Sequence, residues 1–239
     1  MRLALFLALV FAAGPATAQE ISIDFGAEGD LAGRGIQFLI LLTVLSLVPG
    51  MAVMITCFPF IVTVLSIMRQ GLGLQQSPPN MLIVTLALFL TYFVMEPVFV
   101  EAWEAGIVPL TDGVLTIEEA FPRAIAPFRE FMTARIDPGT FETLTDLREG
   151  QQGATLSPQS PLSLMVPSFL LSEIERAFQI GFLIFLPFLI IDLVVAAVLM
   201  SMGMMMVPPA IVALPFKLAF FAVADGWTLI SGALVSSYL

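Results

Sequence analysis

Four apolar stretches decide what this chain can become: residues 36–68, 81–100, 162–200 and 207–239. A helix needs about 20 apolar residues to cross a bilayer, and each stretch reaches that length. A soluble domain of 239 residues that is 59% hydrophobic and only 12% charged has too little polar surface to face water. The sequence therefore reads as an all-α integral membrane protein. It should hold four long, proline-broken hydrophobic helical regions, arranged as hairpins, with a small helical external domain between the second and third.

Composition removes several function classes. There is no histidine and a single cysteine, Cys57, set in apolar sequence. Disulfides within the chain, zinc sites and histidine acid–base chemistry are excluded by count. The net charge of −10 argues against nucleic acid as a partner. An intramembrane enzyme would need a nucleophile with a base or a carboxylate pair, and Cys57 has no ionisable neighbour in sequence. A solute carrier suits broken helices with buried charge, but no inverted repeat is evident. The expectation is a non-enzyme without cofactors.

In chain order, residues 1–18 have the form of a signal peptide: Arg2, an apolar run, then Ala16-Thr17-Ala18 as a cleavage site. Cleavage after Ala18 would leave residues 19–35 as an external N-terminal arm. The first hydrophobic helical pair spans 36–100. Its opening run of 33 residues is over-long for one crossing, and Pro49-Gly50 is the expected break. A polar turn at 69–80 joins the pair. Residues 101–160 form the external, periplasmic helical domain, with ten acids and four arginines. Within it, Thr116-Ile117-Glu118-Glu119 is a capping box. Phe121, Ile125, Phe128, Met132 and Ile136 recur at helical spacing, which predicts an amphipathic helix. Residues 150–161 read as a flexible linker. The second hydrophobic pair fills 161–239 and contains a methionine loop. An external N-terminus would put the 69–80 turn and that loop on the cytoplasmic side.

The stretch MSMGMMMVPPAIVALPFK, 200–217, is the most unusual. It sets five methionines and a glycine within seven residues, then Pro-Pro, then a lysine in apolar sequence. Methionine is unbranched and deformable, and Pro-Pro interrupts a helix. Such a loop suits a moving constriction better than a fixed core. Charges punctuate the surrounding helices at Glu173, Glu175, Arg176, Asp192, Lys217 and Asp225. Each costs about 2.5–3.5 kcal/mol at a bilayer centre. Glu173 and Arg176 are close enough in sequence to pair within one helical turn. Lys217 has no acid within four residues, and Asp225 lies about 12 Å further along a helix axis. Its partner must sit on another segment or another subunit, which points to assembly.

The run SEIERAFQIGF at 172–182, the following FLPFLIIDLVVAAVLMSMGMMMVPPAIVALPFKL and Asp225-Gly226-Trp227 resemble the FliP family of flagellar type III export-gate proteins. The likeness extends upstream through RQGLG…SPPN, LALFLTYFVMEPV and EAF…APFREFM, over nearly all the chain beyond residue 18. The sequence departs from the pattern at Phe60, where an arginine is expected, at Ile174 for leucine, and at Ile211 for a small hydroxyl residue. The resemblance implies a homo-oligomeric ring, expected to be a pentamer, joined by FliQ and FliR and other export-apparatus membrane proteins. It implies a pore for unfolded export substrates in the bacterial inner membrane, within the flagellar basal body. It makes Met204, Met205 and Met206 a pore gasket and Glu173 and Lys217 inter-subunit charges, with Arg176, Asp192 and Asp225 as possible supporting charges. The homologous subunit of a virulence injectisome is the alternative; the signal sequence and the long external region favour the flagellar member.

Overall fold

The computed structural model describes residues 31–74, 77–204 and 206–238, and every regular element among them is helical. Signal segment 1–18, most of the arm and Met205 lie outside the described residues. Prolines set many of the helix starts, because a missing N–H and a fixed φ suit a first helical turn. Helix α1 spans Leu31–Met54 and α2 spans Phe58–Gly71, with Pro59 in its first turn. Helix α3, Asn80–Ala102, follows Pro79 and runs into a π-helical turn, Trp103–Ile107, and a short α4, Val108–Thr111. Then come α5, Ile117–Arg135, and α6, Pro138–Asp146. Helix α7, Leu162–Ser201, has 40 residues; α8, Pro209–Val223, and α9, Gly226–Ser236, complete the chain.

Among the described residues, three helical stretches are long and apolar enough to cross a membrane: Gly35–Met54, Asn80–Thr111 and Leu162–Ser201. The pair α8 and α9, bent by 61°, makes a fourth if it counts as one broken span. The expected break at Pro49-Gly50 is not where the first run divides. Helix α1 continues through 49–50, and the chain turns at 55–57 instead. A proline inside an apolar helix loses one hydrogen bond, whereas Pro59 in a first turn loses none. The break therefore falls beside Pro59.

Residues 45–239 form one compact unit. Its larger core joins Phe60, Ile61, Val64, Leu65 and Met68 of α2 to Met95 of α3, Phe188 of α7 and Phe221 of α8. A second core lies within the region expected to be external. Met132, Ile136 and Phe141 pack against Leu164, Met165 and Phe169 of α7. Thus the first two turns of α7 pack in this second core. The lengths agree: 40 residues at about 1.5 Å each span about 60 Å, twice a bilayer's hydrocarbon thickness.

Local signals in 101–160 hold in the structure. The Thr116 N–H donates to Glu119 Oε2 at 3.1 Å, closing one arm of the capping box. The backbone and hydroxyl of Thr116 hold the Glu119 carboxyl below its usual range. The amphipathic stripe of α5 is buried at Met132 and Ile136, half-buried at Ile125 and Phe128, and exposed at Phe121. The expected linker is pinned at its end. Arg129 donates to the carbonyls of Pro158 and Ser160 at 2.9 and 2.8 Å, and Ser160 folds back on Ser157.

Candidate functional site

Two carboxylates on α7 organise the functional end of the molecule. Glu173 and Asp192 are nineteen residues apart on one helix, about 28 Å along its axis. Asp192 engages the middle of α8 and Glu173 the residues just after α9, and the methionine loop joins α7 to α8.

Glu173 has no exposed surface. Arg135, the last residue of α5, donates from Nε to Glu173 Oε1 at 3.0 Å. The Tyr238 hydroxyl donates to Glu173 Oε2. Arg135 also donates from Nη1 to the Ser237 carbonyl at 3.0 Å, and its guanidinium stands 4.0 Å from the centroid of the Tyr238 ring. Phe60 of α2 floors the cluster, edge-on to Tyr238 at 5.5 Å and 5.9 Å from the guanidinium. Cation–π contact and ion pairing together give the buried charge the surroundings it needs. One turn away, the Asp137 N–H donates to Ser172 Oγ at 2.9 Å, tying the end of α5 to α7 again.

The pairing of Glu173 differs from the one nearest in sequence. Its partner is Arg135, 38 positions upstream, instead of Arg176, three positions on. Residues at i and i+3 are neighbours on one helix surface, but Arg176 is half-buried on α7 while Glu173 turns inward to α5. Glu175 stays at the surface and accepts from Gln179 at 3.2 Å.

At the other end, Lys217 of α8 is buried and donates to Asp192 Oδ2 at 2.6 Å and to the Gly71 carbonyl at 3.0 Å. Gly71 closes α2, so the ammonium meets the negative end of a helix dipole as well as a carboxylate. The requirement that Lys217 reach another segment is met inside the chain. Asp192 is one-third exposed in its side chain, and its second oxygen has no hydrogen-bond partner among the described residues.

The methionine loop leaves α7 through Gly203, whose φ of +75° is the left-handed geometry glycine adopts freely. Met204 is 38% exposed and Met206 97%. Val207, Pro208 and Pro209 are also exposed, and Pro208 caps α8. Below the loop, α7 and α8 enclose an apolar cleft of about 530 Å³ lined by Ile190, Val194, Val198, Met202, Val212 and Phe216. Large apolar surfaces stay open beside it, including Phe182, Leu193 and Ile211. Surfaces of this size signify lipid or protein neighbours.

Asp225 adopts φ 48° and ψ 49° and divides α8 from α9. Its carboxylate accepts from Thr228 Oγ1 at 3.1 Å, and it pairs with no cation among the described residues. Asp225 is therefore a corner residue of the fold, away from both charge clusters. Sequence reasoning passed over Arg135 and Tyr238. Arg135 had one usable signal, a cation at the end of an amphipathic helix.

The sequence model of the FliP family matches residues 41–234. The chain belongs to the FliP family. Among its relatives is the flagellar biosynthetic protein FliP of Caulobacter vibrioides, 48% identical over 91% of this chain and 82% of that protein. The FliP of Rhizobium meliloti is 44% identical over the full length of both chains. The FliP of Aquifex aeolicus is 40% identical, again over the full length of both. The match covers α2 to α8 and nearly all of α9, so Glu173 and Asp192 of α7, the methionine loop and Lys217 lie within it.

Proposed function

We propose that this FliP-family chain is a core subunit of the flagellar type III protein export gate and helps form the pore through which unfolded flagellar proteins leave the cell. The observation that carries this reading is the family match across the α7–loop–α8 hairpin, whose methionine tip is exposed. The relatives bear the flagellar name, which favours this reading over an injectisome subunit. The protein works without a cofactor and catalyses no reaction.

In this proposal several copies form a ring, a pentamer on the strength of the resemblance, with FliQ and FliR completing the pore. The ring sits in the inner membrane at the basal body, with residues 101–160 on the periplasmic side. Residues 1–18 are removed as a signal peptide. Met204, Met205 and Met206 of each copy converge as a gasket. Thioether chains exclude water and ions, yet they deform around a passing polypeptide at little strain. The open apolar faces of α7 and α8 are then covered by neighbouring subunits. Glu173 and Lys217 support assembly from inside each subunit by fixing the faces it presents, with Asp192 as the partner of Lys217.

The test is complementation. Deleting the gene should abolish flagellin and hook-protein export, and restoring it should recover both. A detergent-solubilised complex with FliQ and FliR should have the mass of a multi-copy ring. Normal export from the deletion strain, or a strictly monomeric protein in the presence of both partners, would overturn the proposal.

A further inference from the structure

The C-terminal pair α8 and α9 is held at the middle of α8 through Lys217 and just beyond α9 through Tyr238, and it bends at Asp225. At the corner, Asp225 takes the left-handed conformation, and Gly226 is buried under the Phe221 ring. A Cβ at position 226 would come within 2.2 Å of that ring. Trp227 then packs edge-on against Phe221 at 5.6 Å, and Phe221 lies 6.3 Å from Phe188 of α7. The Asp225 carboxylate accepts from the Thr228 hydroxyl at 3.1 Å. The close approach of Gly226 to the Phe221 ring resists tightening of the 61° bend, while residues 222–225 and Trp227 on its outer side are exposed.

One arm of this bent piece begins at Pro209, directly after the methionine loop, and is pinned at Lys217. The other arm ends at Ser237 and Tyr238, clasped by Arg135 and Glu173. Arg135 belongs to α5, which packs in the second core, away from the loop.

We infer that Arg135 and Tyr238 are positioning residues for the gate: they latch the end of α9 to α5 and α7, and the corner carries that constraint through α8 to the methionine loop. This rests on the loop being the gate only for its functional consequence; the mechanical coupling stands on the contacts alone. Lys217 acts as the pivot, since it bonds α2 and α7 at once. Tyr238 is the releasable element. Its hold on Glu173 is one hydroxyl, whereas Glu173 and Arg135 stay paired without it.

The experiment is hydrogen–deuterium exchange on the assembled, detergent-solubilised complex, comparing the parent with Tyr238→Phe. That variant keeps the ring over the guanidinium and removes only the hydroxyl. A hydrogen bond to a charged group is worth roughly tenfold or more in an opening equilibrium. Amide exchange in 226–236 should therefore rise by about tenfold, and exchange in 206–212 should rise with it. In a Phe221→Leu background, which loosens the corner, Tyr238→Phe should still speed exchange in 226–236 but leave 206–212 unchanged. A rise confined to α9 in the parent background overturns the lever. No rise in either segment overturns the latch. Both readouts are independent of export, so a failed export reading and a failed latch are told apart.

Discussion

Glu173 and Asp192 stand on the same helix and hold different arms of the same C-terminal pair, yet their surroundings differ. Glu173 is sealed among Arg135, Tyr238 and Phe60, with no exposed surface. Asp192 keeps one-third of its side chain open and shares Lys217 with the Gly71 carbonyl. The first site is an anchor in the core that α5 and α6 build on α7. The second lies at the apolar, loop-bearing end. Burial decides how much each pair matters, since removing one partner of a sealed pair strands an uncompensated charge, and the cost falls as the remaining partner is less buried.

The largest effect should follow Arg135→Met, which strands Glu173. A destabilisation of about 3–5 kcal/mol is expected, read as a fall in thermal midpoint of the purified protein. Lys217→Met should be milder, roughly 2 kcal/mol, because the Asp192 it strands is one-third exposed where Glu173 is fully buried. If Lys217→Met destabilises as much as Arg135→Met, the contrast between the two sites collapses. Tyr238→Phe comes next, at about 1.5 kcal/mol, with Glu173 still paired to Arg135.

The smallest effect sharpens the comparison by contrast with a fully exposed group. Glu119 has its carboxyl pKa lowered by the Thr116 backbone and hydroxyl. A lowered folded pKa means the stabilisation is present above the ordinary glutamate range and is lost as pH falls through the lowered value. Acid titration should thus fray the start of α5 in the parent, seen as faster amide exchange there. Glu119→Gln should remove that pH dependence. A start of α5 that frays equally in both would show that the capping carboxylate contributes nothing.

Much of this was legible in the sequence because it is local. Apolar run length located the four membrane-scale regions, and Thr116 with Glu119 marked the start of α5. The methionines with Pro208-Pro209 marked the loop. Contacts distant in sequence were hidden. Nothing at position 135 announces Glu173, and nothing at 217 announces Gly71, because only packing of α5 and α8 against α7 brings them together. The first apolar run misled for a related reason. Pro49-Gly50 and Pro59 carry similar local signals, and their place within a helix decides which one breaks it. Asp225 likewise read as a membrane charge, while its left-handed backbone makes it a corner.

In the proposed export pore the exposed methionine tip between α7 and α8 forms the seal, and membrane conductance reads that seal. Met204, Met205 and Met206 are replaced together by alanine in the assembled complex, and ion flux is measured in cells or in planar bilayers. Alanine is too short to close the gap, so the complex should assemble at normal mass and leak ions while still passing substrate. A triple-alanine complex that assembles normally and remains ion-tight would contradict the claim.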